Sequence, residues 1–167
     1  MERTRTMPDD LYERDILEWS ERQSEMLRVV ADSEQRNGVD WQHVIEEITA
    51  VGVAQLNDVR GLLRQAMICL VRIHLNPADS EPPDWDLELA CSLDDAADQF
   101  TPSMRHRIDL NFLWGRVLLR VARLSPDDPR GRALPEHCPW GFDELLANDR
   151  DQLLAALAGW SVAPATP

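Results

Sequence analysis

The chain has 167 residues, a net charge of −13 and 44% apolar residues, and all 17 of its basic residues are arginine. These values indicate one folded domain with a core of its own and exclude an intrinsically disordered chain. No apolar run reaches the ~20 residues of a membrane-spanning helix, the first ten residues lack the apolar segment of a secretory signal, and the acidity opposes the phosphates of nucleic acids.

We therefore expect a single cytoplasmic domain over residues 1–167, with flexible tails at about 1–8 and 161–167. Neither a membrane nor a nucleic acid is expected as a partner. The three cysteines are far apart and odd in number, so they form neither a disulfide framework nor the paired spacing of a zinc site.

The first predicted helix follows Pro8, and Asp9 or Asp10 caps its start. The polar stretch 31–38 ends it. The residues of one face of this helix recur every three or four positions, which is the helical period. The face consists of Tyr12, Ile16, Trp19, Gln23, Met26, Leu27 and Val30.

A long second helix is predicted from about Asp40, which caps it, to Leu75. Its apolar stripe keeps the ~3.6-residue period across both Gly52 and Gly61, so we expect one helix that is weakened or bent at Gly52. Val44 and Val51 widen the stripe, as does Leu62, and a wide stripe is typical of a central helix or of one with a second, intermolecular interface. The stripe consists of Trp41, Ile45, Ile48, Gly52, Leu56, Val59, Leu63, Ala66, Leu70 and Ile73.

The third and fourth predicted helices differ in charge. A loop containing Pro77, Pro82 and Pro83 precedes the third helix, whose face runs from Leu89 to Phe100. Thr101 as N-cap and Pro102 at the first position begin the fourth helix, which runs on to Leu124.

Residues 79–100 contain eight acids and no arginine, whereas residues 101–135 contain seven arginines and three acids. Because a short loop joins the two helices, we expect antiparallel neighbours whose opposite charges pair. The alternative is an anion-binding site formed by Arg105, Arg107, Arg116, Arg120 and Arg123.

Three residues of the long helix could share a metal ion, because His43, Glu46 and Glu47 are spaced three and four apart. On the helical wheel they point away from the stripe, whereas a metal site inside a bundle needs ligands that face inward from several helices. A solvated acidic face near a helix N-terminus is the alternative interpretation, and we favour it.

The stretch ALPEHCPWGFDELL (133–146) places a histidine beside a cysteine. We interpret it as a helix start, in which Gly141 is the N-cap and Trp140 packs on Leu145 as a hydrophobic staple. Cys138 precedes the cap by three residues, outside the first turn where the helix dipole acts, so we predict a buried structural cysteine rather than a reactive thiol. A further short helix is predicted over residues 149–160.

Three segments resemble the family catalogued as Domain of Unknown Function 29, which comprises bacterial helical proteins. They are DLYERDILEWSERQSEMLR (10–28), DWQHVIEEITAVG (40–52) and LPEHCPWGFDELL (134–146), and the resemblance extends to Asn148. It implies an all-helical fold and no known activity. The chain departs from the family pattern at Cys69 and Ile73, where a histidine and a tryptophan are common, and at Gly141, where threonine or serine is common.

The sequence thus predicts an all-α bundle of four main helices and one or two short C-terminal ones, with no cofactor. The favoured function is a non-enzymatic module that binds a protein partner or a second copy of itself, because no catalytic set converges. Two alternatives stay open: a metal-dependent or hydrolytic enzyme that uses His43, Glu46 and Glu47, and anion binding by the arginine-rich fourth helix.

Overall fold

A computed structural model describes residues 9–33, 38–76, 84–124 and 131–160, and within these residues it is helical with no strand. The predicted tails and the proline loop lie outside the described residues. The α-helices are α1 (Asp9–Arg14), α2 (Ile16–Ser33), α3 (Trp41–Leu75), α4 (Trp85–Gln99), α5 (Leu110–Leu124), α6 (Phe142–Leu146) and α7 (Arg150–Trp160), with short 3₁₀ turns at Pro102–His106 and Gly131–Ala133. The predicted all-α fold is confirmed. No helix in these ranges is long and apolar enough to cross a membrane.

The chain divides into two compact units. The first unit, Met1–Asp58 with Phe100–Arg107, contains α1, α2, the first half of α3 and the Pro102–His106 turn. The second, Val59–Gln99 with Ile108–Pro167, contains the rest of α3 and helices α4 to α7. The helix α3 therefore contributes to both units.

The predicted first helix is wrong in one respect, because the chain breaks at Asp15 into α1 and α2. The Asp15 carboxylate caps α2 by accepting the backbone N–H of Glu18 at 3.0 Å. It is only 3% exposed, and it also accepts hydrogen bonds from the Thr101 hydroxyl and from the backbone N–H and hydroxyl of Ser103. A contact with residues more than 80 positions away thus ends α1, which a local helical pattern cannot show.

These hydrogen bonds also decide the acidity of Asp15. Burial is the largest single influence and raises the pKa, but the hydrogen bonds from Glu18, Ser103 and Thr101 together outweigh it, so the pKa of Asp15 is lowered. The carboxylate therefore stays charged inside the first unit.

The predicted long helix is confirmed as α3, which has 35 residues. Asp40 caps it, since its carboxylate accepts the backbone N–H of His43 and its carbonyl accepts that of Val44. Gly52 is buried against α2. A Cβ atom built on Gly52 would lie 2.1 Å from the Ser20 hydroxyl oxygen and 3.0 Å from the Leu17 Cα. Glycine is required there because the backbones of the two helices approach closely.

The predicted fourth helix starts later than expected. Residues Pro102–His106 form a 3₁₀ turn, and the Thr101 side chain does not cap it, because its hydroxyl donates to Asp15 instead. The helix α5 begins at Leu110, and Asp109 caps it by accepting the backbone N–H of Phe112 at 3.0 Å.

The core of the second unit contains two tryptophans that also position the C-terminal helices. The indoles of Trp114 and Trp140 meet edge to face with centroids 5.4 Å apart. Trp114 donates to the carbonyl of Pro135, and Trp140 donates to the carbonyl of Leu153 in α7. Both predicted C-terminal helices are confirmed as α6 and α7, and Asp149 caps α7 through the backbone N–H of Gln152.

Candidate functional site

The helices α2 and α3 of the first unit form an antiparallel pair. The Ser24 hydroxyl lies 2.8 Å from the Thr49 hydroxyl, and one turn towards the N-terminus of α2, Ser20 lies against Gly52. Leu17, Ser20 and Ser24 are the buried residues of α2. These contacts define which side of each helix faces the other.

One flank of this pair exposes apolar side chains. With ~100° of rotation per residue, Trp19, Met26 and Val30 lie on one flank of α2. Val44, Ile48 and Val51 lie on the flank of α3 that points to the same side of the pair. We call these six residues the hairpin face. Met26 is 63% exposed, and Val30, Val44 and Val51 are 41%, 39% and 45% exposed. Trp19 and Ile48 are half-buried.

The opposite flank of α2 is covered. Arg107 reaches Glu21 there with a 2.6 Å ion pair, and the Pro102–His106 turn packs on α2 beside the buried Asp15. Arg107 and the Pro102–His106 turn therefore cover the opposite flank of α2, whereas the hairpin face remains open to solvent. A contiguous exposed apolar surface is typical of an interaction site.

The predicted residues Trp41, Ile45, Ile48 and Gly52 all lie along the first half of α3. Gly52 is buried, whereas Trp41, Ile45 and Ile48 are half-buried. The continuation of the stripe onto α2 was not predictable, because helical periodicity shows which residues share a face and not which neighbouring helix extends it.

The structure places His43, Glu46 and Glu47 at the surface of α3. The His43 Nδ1 atom lies 2.6 Å from Asp40, and this hydrogen bond, with smaller effects of Glu46 and Glu47, raises the pKa of His43. Glu46 accepts a hydrogen bond from Gln42. Across the described ranges, no three His, Cys, Asp or Glu side chains are arranged to hold a metal ion.

The charge pairing that we predicted between the third and fourth helices is not found among the described residues. Asp86 of α4 pairs with Arg150 of α7 at 2.6 Å, Asp94 accepts from Asn148, and Glu88 accepts from Gln65 of α3. In the part of the chain that the structure describes, no ion pair joins α4 to the arginines of α5. Three of the five acids of α4 therefore bind the C-terminal segment or α3.

The predicted arginines separate into two groups. Arg105 lies over the Phe100 ring and Arg107 pairs with Glu21, both in the first unit. The other three predicted arginines, all in α5, line a cleft of the second unit: Arg116, Arg120 and Arg123. Arg64 of α3 and Leu119 complete the lining. The sequence missed Arg64 because it lies more than 50 residues away from the other arginines.

Cys138 is half-buried rather than buried. Its thiol donates to the carbonyl of Trp140, and its backbone N–H donates to the Asn111 side chain. Burial raises the pKa of Cys138, which disfavours the nucleophilic thiolate. Gly141 caps α6 as predicted, and the Glu144 carboxylate accepts its backbone N–H at 2.7 Å. Trp140 and Leu145 are both buried.

The helices and the two surfaces define an all-α protein whose long central helix serves both units. The chain belongs to the family described as domain of unknown function DUF29, which matches residues 11–150, so the resemblance seen in the sequence is confirmed.

The fold is also similar to a solved protein. The crystal structure of an alpha-helical protein of unknown function from Rhodospirillum rubrum ATCC 11170 matches with a TM-score of 0.76 and 25% sequence identity. The match covers 87% of this chain and 96% of that chain. No curated protein matches the sequence.

Proposed function

We propose that this protein is a non-enzymatic interaction module that associates with a second copy of itself through the hairpin face. The exposure of Met26, Val30, Val44 and Val51 on one side of the α2–α3 pair carries the proposal. Exposed apolar side chains are common individually. Here they recur at helical spacing on two adjacent helices, which is the pattern of a bundle that lacks its remaining helices.

A second copy is the occupant that suits this surface best. Two antiparallel helices form half of a four-helix bundle, and a two-fold axis over the hairpin face would bring in an identical half. The same apolar residues would then meet in a self-complementary interface, which is the commonest arrangement in soluble oligomers.

Light scattering coupled to size exclusion, run on the full chain over a range of concentrations, tests the proposal. We expect a dimer, and we expect Val51→Glu to convert it to a monomer, because a charge placed in an apolar interface loses its hydration without gaining a partner. Val53→Glu is the matched control. Val53 is 44% exposed and Val51 is 45% exposed on the same helix, but Val53 projects about 200° away from Val51 and off the hairpin face.

The two variants separate the outcomes. A monomeric Val51→Glu variant beside a dimeric Val53→Glu variant supports the proposal. A wild-type chain that stays monomeric at high concentration, or a dimer that both variants leave intact, contradicts it. A heterologous protein that binds the wild-type chain and not Val51→Glu would assign the hairpin face to that partner instead.

We also propose that the protein is cytoplasmic and comes from a bacterium. The three cysteines form no disulfide, which suits a reducing compartment. The structural relative is a bacterial protein.

A further inference from the structure

The arginine cleft of the second unit has a volume of about 510 Å³ and is lined by Arg64, Arg116, Leu119, Arg120 and Arg123. We propose that it binds a compact polyphosphate, either an inorganic triphosphate or the triphosphate group of a nucleotide. This site is separate from the hairpin face, because the two share no residue.

Three of the arginines come from one face of α5. Arg116, Arg120 and Arg123 are spaced four and three residues apart, so neighbouring guanidinium groups lie on adjacent turns. Like charges at this spacing destabilise an isolated helix. Arg64 adds a fourth positive charge from α3.

Among the described residues, no ion pair neutralises the guanidinium groups of the cleft. In residues 9–33, 38–76, 84–124 and 131–160, no carboxylate forms an ion pair with any of these four arginines, although the chain carries 30 acids against 17 arginines. Three acids of α4, which have the complementary charge, bind Arg150, Asn148 and Gln65 instead. A concentrated positive site on an acidic protein attracts a small anion at short range.

The chemistry of the four side chains favours phosphate groups that are linked together. A guanidinium group donates two parallel hydrogen bonds to a phosphate, and this pairing is stronger than a neutral hydrogen bond. A single phosphate engages one or two arginines, whereas a triphosphate offers several charged groups in a row that match guanidinium groups on successive turns. The cleft volume lies within the range of small-molecule sites. The exposed side chain of Leu119, at 60%, offers an apolar contact beside the charges.

Isothermal titration calorimetry of the full chain with sodium triphosphate, without divalent metal and at low salt, tests the proposal. We expect saturable binding of one triphosphate per chain that weakens as salt rises. Orthophosphate is expected to bind at least tenfold more weakly, because it reaches fewer arginines. A parallel titration with adenosine triphosphate distinguishes an inorganic triphosphate from a nucleotide as the ligand. If both bind with equal affinity, the cleft recognises the polyphosphate group alone. If adenosine triphosphate binds more tightly than triphosphate, the ligand is a nucleotide.

Matched variants locate the site. Arg120→Gln is expected to weaken triphosphate binding by about tenfold, as the loss of a charge-assisted hydrogen bond predicts. Arg28→Gln removes the same charge from an exposed position of α2, outside the cleft, and is expected to leave the affinity within about twofold. Both side chains are exposed, so each variant should fold, and thermal melts of the two variants check this.

Three results would overturn the proposal. They are equal binding of orthophosphate and triphosphate, equal loss of affinity in Arg120→Gln and Arg28→Gln, and tighter binding of a single-stranded oligonucleotide than of triphosphate. The last result would mean that the arginines follow a nucleic-acid backbone.

Discussion

Gly52 and Gly61 of α3 offer a matched test of how closely α2 packs on α3. A Cβ atom at Gly52 would meet Ser20 at 2.1 Å and both Cα and Cδ1 of Leu17 at 3.0 and 3.2 Å. The Ser20 hydroxyl can rotate away, but the Leu17 backbone cannot. A Cβ atom at Gly61 would meet nothing within 4 Å.

The two Gly→Ala substitutions gain the same helix propensity, but only Gly52→Ala also overpacks the contact with α2. Each gains about 1 kcal/mol of helix propensity, because alanine loses less conformational freedom than glycine. Overpacking in Gly52→Ala lowers the free energy of unfolding by about 1–3 kcal/mol, because the two helices must separate by several tenths of an ångström. The free energy of unfolding should therefore be about 1–3 kcal/mol lower for Gly52→Ala than for Gly61→Ala, with Gly61→Ala above the wild type.

Urea unfolding of both variants at one protein concentration measures this difference, because ΔG is obtained by linear extrapolation. In thermal melts the same difference should appear as a shift in melting temperature of roughly 2–4 °C per kcal/mol for a chain of this size. Gly52→Ala should also weaken self-association, because moving α2 changes the hairpin face. Equal stability of the two variants would refute the close approach of α2 and α3 at Gly52.

Two further predictions concern the buried carboxylate of Asp15 and the three cysteine thiols. Asp15→Asn should lower the free energy of unfolding at neutral pH by about 2–3 kcal/mol, because a neutral amide cannot accept from all the donors that face it. Since the pKa of Asp15 is lowered on folding, its contribution is full above the unfolded value of ~3.9 and is lost as the pH falls through the folded value, so urea titrations should show the gap between the variant and the wild type closing in acid. Thiol labelling of the folded chain should modify exposed Cys91 first, Cys138 slowly and Cys69 only on unfolding, because burial raises the pKa of Cys69 to about 11. Rapid modification of Cys138 would instead indicate a reactive site at that position.

The long helix was predictable because its signals are local. Asp40 supplies the cap, and the apolar period continues without a change of phase through two glycines. The same holds for α6 and α7, which Gly141 and Asp149 begin. Local caps and one continuous period are sufficient to define a helix whose neighbours do not interrupt it.

The break at Asp15 was not predictable for the opposite reason. The sequence from Asp9 to Ser33 keeps a helical pattern, but the Asp15 carboxylate is drawn into hydrogen bonds with Thr101 and Ser103. The same contact removes Thr101 from its predicted role as a cap, so α5 starts eight residues after Pro102. One long-range contact thus changed the boundaries of two predicted helices.

The two proposed sites show where sequence patterns stop being informative. The width of the stripe on α3 indicated a second interface, but its partner on α2 became visible only when Ser24 was placed against Thr49. The arginines of α5 were visible as a charged face, and the opposite charge of α4 supported the simplest explanation, which was mutual pairing. In the described residues that pairing is not found, and Asp86 and Asp94 of α4 bind Arg150 and Asn148 instead. A charged face becomes a candidate site only when the acids expected to neutralise it bind elsewhere, and this property belongs to the folded chain.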